Sequence, residues 1–194
     1  MKLLVTGFAP FGGEPINPSW ETVKRLPDTI GKAELFKAEL PVVYGEAAEI
    51  AVKKATEIGA DAILCVGQAG GRAAVTPEYV GINLRDGTIP DNAGRLCKEE
   101  RIVQGGADGY FSTLPVFAMA EAIREAGVPA KVSFSAGTFV CNDLLYTLLH
   151  RFSGTDVGVC FVHLPFLPEQ AGTKFPSLTL EQDIAALTAA IGVL

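Results

Sequence analysis

The sequence predicts an α/β fold, a single-domain three-layer α/β/α sandwich with a mixed, mostly parallel sheet. Three observations carry this reading. Short apolar runs alternate with segments of helical period along the whole chain, the pattern of a sheet covered by helices. The run Ala62-Ile63-Leu64-Cys65-Val66 is apolar without a break and stops at Gly67, as a strand buried on both faces requires. No linker, repeat or low-complexity segment divides the 194 residues, so residues 1–194 are expected to form one domain.

The elements follow in order. Leu3–Thr6 is a short apolar strand ended by Gly7. Asn17-Pro18 supplies an N-cap and a proline at the first helical position, opening a helix to about Leu26. A second strand is expected at Ala38–Val43. The helix at Glu46–Ile58 places Ala47, Ile50, Ala51, Ala55 and Ile58 on one face, and Gly59 stops it. After the central strand at 62–66, another strand is expected from Glu78 to Leu84, then an irregular region from about Arg85 to Gly109. A helix at Val116–Ala126, a strand at Val132–Ser135, a helix at about Phe139–Arg151 and a strand at Val157–His163 come next. A terminal helix starts near Leu180, where Thr179 and Gln182 can form a capping box. The stretch after Glu78 has room for a hairpin, which is why a mixed sheet is expected.

Composition narrows the function. Hydrophobic residues at 48% and charged residues at 20% rule out bulk disorder. The 22 acidic residues outnumber the 16 basic ones, for a net charge of −6, which argues against a nucleic-acid or anionic-membrane binder. The apolar run at the N-terminus is too short for a signal peptide or a spanning helix. The four cysteines (Cys65, Cys97, Cys141, Cys160) and two histidines (His150, His163) form no CxxC, HxxxH or HExxH. No metal site is expected, and the cysteine spacings do not resemble a secreted disulfide framework. Free thiols in a cytoplasmic protein are the expectation.

Two glycine-containing loops invite a nucleotide reading and fail it. Gly7–Gly13 lacks the Lys-Ser/Thr of a phosphate loop, and Gly67–Gly71 has the wrong offsets for a dinucleotide fingerprint. Both loops lie beyond the carboxyl ends of strands, where ligands of open α/β sheets sit. There Phe8 and Phe11 either plug the sheet edge or wall an apolar pocket for a small ring.

The segment Ser135–Asn142 points to chemistry. Gly137 turns the chain, Thr138 is a candidate N-cap, and Cys141 becomes the third helical residue, where free N–H groups stabilise a thiolate. Cys65 and Cys160 sit inside apolar strands, and Cys97 lies among polar residues with no assigned role. His150 falls on the same helix about 13 Å along the axis from Cys141, too far to act on it, and is expected to cap the helix C-terminus. His163 ends a strand on the same rim as Cys141 and is the base by elimination. For the carboxylate that orients it, two candidates stand: Glu78, leading an apolar row, and Asp91, in a turn.

These residues resemble the type I pyroglutamyl peptidases. The likeness runs through residues 5–13, Asn17–Glu21, Gly67–Arg72, Ile89–Asn92, Ala136–Asn142 and His163–Gln170, in family order over essentially the whole chain. The resemblance implies a cysteine peptidase that removes an N-terminal pyroglutamyl residue from peptides without a cofactor. It implies Cys141 as nucleophile, His163 as its histidine and Glu78 as its glutamate. It also implies Phe8 and Phe11 as the pair that binds the ring, Gln68 as a lactam-binding group, and a homotetrameric assembly. Two positions depart from the family pattern: Thr88 stands where many members have arginine, and Asp143 where histidine is common.

Overall fold

Strand β1 (Lys2–Phe8) buries every residue after Lys2, and it runs through the interior of a six-stranded sheet. The computed structural model describes residues 1–194. The sheet also contains β2 (Thr29–Ile30), β3 (Ala33–Leu40), β4 (Ala62–Gln68), β5 (Thr76–Glu78) and β8 (Gly158–Leu164), in the order β2-β3-β1-β4-β8-β5. Strands β3, β1, β4 and β8 are parallel, while the short edge strands β2 and β5 pair antiparallel. The mixed sheet is as expected. Two more strands, β6 (Val80–Ile82) and β7 (Gly109–Phe111), make a separate antiparallel ribbon.

Helices cover both faces. Helices α1 (Pro18–Val23), α3 (Val116–Glu125) and α6 (Leu180–Gly192) pack on the face carrying Leu3, Val5, Leu64 and Val162. Helices α2 (Glu46–Ile58) and α4 (Val140–Arg151) pack on the face carrying Leu4, Phe8, Ile63 and Phe161. The two cores hold 23 and 22 buried residues, so neither sheet face is left to solvent and the three-layer sandwich is complete. A one-turn helix, α5 (Pro168–Ala171), follows β8. No helix is long and apolar enough to cross a membrane.

The capping signals are realised. Asn17 Oδ1 accepts from Ser19 N at 3.1 Å, with Pro18 opening α1. Gly59 ends α2 in the left-handed region, at φ 62°. Thr179 Oγ1 accepts from Gln182 N at 3.3 Å, and Gln182 Oε1 accepts from Thr179 N at 2.9 Å.

Four expectations need correction. The second strand is Ala33–Leu40, which starts five residues before and ends three before the expected Ala38–Val43, and Glu34–Leu40 pair with β1. The strand expected at Glu78–Leu84 divides: β5 ends at Glu78 in the main sheet, and β6 joins the ribbon. Residues 132–135 form no strand; the nearby chain makes isolated parallel bridges, Val75 with Ala130 and Glu78 with Ser133. Thr138 is not the cap of α4, because its hydroxyl donates to Asp86 O at 2.7 Å; Phe139 takes that position and Cys141 is the second helical residue.

Candidate active site

The sheet order determines which side chains meet. β4 and β8 are neighbours, with Gly67 opposite His163, and β5 lies on the other side of β8, with Thr76 opposite His163 and Glu78 opposite Phe161. Alternation along the strands sends Phe161, His163, Thr76 and Glu78 to the face covered by α4. Helix α4 starts above this rim, so its second residue, Cys141, descends onto β4. A Cβ on Gly67 would sit 3.0 Å from Cys141 Sγ and 2.6 Å from the Phe161 ring, which is why this position has none.

His163 Nδ1 and Glu78 Oε1 are 2.7 Å apart, and both side chains are buried. Arg72 Nη1 donates to the same oxygen at 2.6 Å, and Arg72 Nη2 donates to Ser135 O at 3.1 Å. Burial pushes the Glu78 carboxyl up, but the hydrogen bond and charge of His163, helped by Ser133 and Arg72, outweigh it, so the net direction is down and Glu78 is ionised. For His163 burial dominates and lowers the imidazolium pKa, with Glu78 opposing, so the ring is neutral near pH 7. With Nδ1 turned to Glu78, the other ring nitrogen is left for chemistry.

The thiol does not behave as the helix-start argument expects. Burial pushes Cys141 up to about 12, the Glu78 charge adds to this, and Arg72 and the backbone N–H at the helix start pull the other way without prevailing. Cys65 and Cys160 are also pushed up to about 12 by burial. Acidity therefore does not single out Cys141. Position does: Cys65, Cys97 and Cys160 are buried, and only Cys141 is partly open. Cys97 belongs to the core on the α2/α4 side, which gives it a packing role.

Phe8, Phe11, Gln68 and Cys141 line one cavity, together with Asn17, Val42, Phe139 and Val140. Its free volume is only about 10 Å³, space for a single water. Phe8 is fully buried and fixed; Phe11 is partly exposed on its loop and packs on Phe139, ring centroids 6.1 Å apart. Gln68 Oε1 accepts from Gln170 Nε2 at 2.9 Å, which leaves the amide N–H₂ of Gln68 free to donate into the cavity.

Other expectations resolve here. Asp91 is a turn residue: its carboxylate accepts from the backbone N–H of Tyr44, Ala93 and Arg95 and does not reach His163. His150 bonds Tyr110 Oη at 2.9 Å and stacks on Tyr146 rather than capping α4. Asp143 is fully buried, but its charge is matched by Arg85 Nε at 2.6 Å and by Gly45 N at 2.7 Å. It also points away from Cys141, since residues two apart do not share a helix face. Arg72, Gln170 and Phe139 had no role in the sequence reading. A signal existed for Arg72: a carboxylate buried within a strand needs a cation, and Arg72 is the basic residue nearest to Glu78 in the preceding loop.

The family model described as pyroglutamyl peptidase matches residues 1–194. Pyrrolidone-carboxylate peptidases are similar over nearly their full lengths. That of Streptococcus suis is 48% identical over 200 residues, covering 100% of this chain and 92% of the relative. That of Levilactobacillus brevis is 50% identical over 197 residues, covering 98% and 96%. The crystal structure of pyroglutamyl peptidase I from Bacillus amyloliquefaciens superposes with a TM-score of 0.95 at 44% identity, covering 98% of this chain and 95% of that one. A mutant pyrrolidone carboxyl peptidase from Pyrococcus furiosus gives 0.94 at 42%, covering 100% and 97%. With the family model matching residues 1–194 and relatives at 48–50% identity, the chain belongs to the pyroglutamyl peptidase family.

Proposed function

We propose that this chain hydrolyses the amide bond after an N-terminal pyroglutamyl residue through a thioester on Cys141. The observation that carries the residue assignment is the line Arg72–Glu78–His163 beside Gly67, over which the partly open Cys141 sits at the Phe8/Phe11/Gln68 cavity; no hydrogen bond yet joins Cys141 Sγ to His163. A pyroglutamyl ring is uncharged and has no free α-amine. An apolar cavity with one side-chain amide suits it better than a carboxylate would.

The resting pair is neutral, thiol with imidazole. As Sγ attacks the carbonyl carbon, the thiol proton passes to His163, and Glu78 stabilises the imidazolium that forms. The oxyanion meets free backbone N–H groups in the first turn of α4. The C–N bond breaks as His163 returns its proton to the leaving amine, leaving a thioester. Water then adds to the thioester carbonyl, giving its proton to His163. Collapse expels the sulfur, which takes that proton back, and pyroglutamate is released.

The reading extends to a single domain over residues 1–194, acting in the cytoplasm as a homo-oligomer. The four free cysteines support the compartment. Assembly is supported by Phe111 and Phe117, exposed by 64% and 59% and packed around Tyr79, an apolar surface unusual on a lone subunit. The test of the function is release of pyroglutamate from a blocked peptide. Cleavage stopped by a thiol reagent and untouched by a chelator is the expected result; chelator-sensitive, thiol-insensitive cleavage would contradict it.

A further inference from the structure

Apart from the ring cavity, a groove of about 540 Å³ opens at the β5 edge, walled by Arg72, Thr76, Lys131, Ser133, Phe134 and Ser135. We infer that this groove receives the peptide downstream of the scissile bond and favours acidic side chains there. The inference rests on the hydrolase reading above and adds a specificity to it.

Placement is the first argument. Across the rim, strands run β1-β4-β8-β5. The ring cavity lies over β1 and β4, the base His163 stands on β8, and the groove begins at Thr76 on β5, directly opposite His163. A substrate with its ring over β1 and β4 and its scissile amide at Cys141 has its leaving nitrogen directed at His163. The chain beyond that nitrogen then continues toward β5. Arg72 joins the two regions, since it walls the groove and also bonds Glu78.

Charge is the second argument. The protein carries a net charge of −6, yet the charged residues of the groove are Arg72 and Lys131, with no carboxylate among its walls. Lys131 is exposed and unpaired, and Arg72 is 29% exposed after meeting Glu78. Glu78 offsets the Arg72 charge, which leaves Lys131 as the free cation of a groove with no carboxylate wall, and a free cation in a concavity of an acidic surface favours anionic groups. The Ser135 hydroxyl accepts from Gly137 N and keeps its own proton free for a peptide carbonyl.

The test compares kcat/KM on pyroglutamyl-alanine amide with that on longer amidated pyroglutamyl peptides carrying either glutamate or lysine two or three residues past the cleaved bond. Wild type should favour the glutamate peptides by roughly two- to fivefold, the size of one or two exposed charge pairs, and high salt should erase the preference. Lys131→Glu should reverse it while leaving the short amide unchanged, because Lys131 touches no catalytic group and surface changes of this kind rarely disturb folding. Equal rates on acidic and basic peptides, with normal cleavage of the short amide, would overturn the groove and leave the peptidase reading standing. A preference that Lys131→Glu does not alter would likewise overturn it. Failure to cleave the short amide would instead strike the function itself.

Discussion

His163 and Glu78 are 85 residues apart in sequence and 2.7 Å apart in space, because β5 returns antiparallel beside β8 and pairs Glu78 with Phe161, two residues before His163. In the proposed mechanism that hydrogen bond fixes the imidazole tautomer and supplies the charge that balances an imidazolium. Glu78→Gln keeps the shape and removes the charge. A fall in kcat of about 10²- to 10⁴-fold is expected, with little change in KM, measured on a pyroglutamyl amide.

The pH dependence follows from the same pair. In the proposed mechanism His163 must be neutral to accept the thiol proton, and burial holds its pKa below the ordinary value of 6.5. The acidic limb of kcat/KM is therefore expected below pH 6.5. Arg72 contributes to that lowering through its charge. Arg72→Gln should move the acidic limb upward and lower kcat, and Arg72→Lys should restore the limb in part. A purely structural role would change thermal stability without moving the limb.

The ring cavity makes a prediction of motion. Its volume of about 10 Å³ cannot hold a five-membered lactam, so the proposed ring site requires one wall to give. Phe8 is locked in the core, whereas Phe11 is partly exposed and its loop is held by Asn17 Nδ2 to Ala9 O and Asn92 Nδ2 to Pro10 O. Phe11→Ala is expected to raise KM several-fold with kcat much less affected. Phe8→Ala should cost about 3–5 kcal/mol of stability, read from denaturant unfolding.

Much of this was legible in the sequence, for reasons tied to particular residues. β1, β4 and β8 are buried on both faces and so advertise themselves as unbroken apolar runs. The caps at Asn17, Gly59 and Thr179 are local chemistry and need no tertiary context. Ala33–Leu40 was hidden because its Glu, Leu, Lys and Ala are helix formers, and only pairing with β1 makes it a strand. The division at Tyr79 was hidden for a similar reason: β5 and β6 are each three residues long, and their partners, β8 and β7, are distant in sequence. At the site, Cys141 and His163 stood out from position on the rim. Glu78 needed the family likeness to be preferred over Asp91, and the role of Arg72 required seeing which oxygen it shares. The helix start that favours a Cys141 thiolate is visible in sequence, whereas the burial that raises the thiol is not.

A last prediction concerns stability. Asp183, on α6, is fully buried with both carboxylate oxygens unpartnered, and burial pushes its pKa up to about 8. The unfolded chain titrates this group near 3.9. Between about pH 4 and 8 the folded state therefore holds a proton that the unfolded state has lost, and stability falls as pH rises, at up to about 1.4 kcal/mol per pH unit from this one group. Below the unfolded value the group costs nothing by this route. Asp183→Asn should flatten the decline and raise the melting temperature at pH 8 relative to wild type, with no such gain at pH 4; calorimetry across that range checks it.

The central claim, that a thioester forms on Cys141, is tested most directly by acid-quenching the enzyme during turnover of a pyroglutamyl ester and mapping the adduct by mass spectrometry. The expected result is one pyroglutamyl group on the peptide containing Cys141, absent from Cys141→Ala, which should also lose essentially all turnover. An adduct on another residue, or wild-type turnover by a correctly folded Cys141→Ala, would contradict the account.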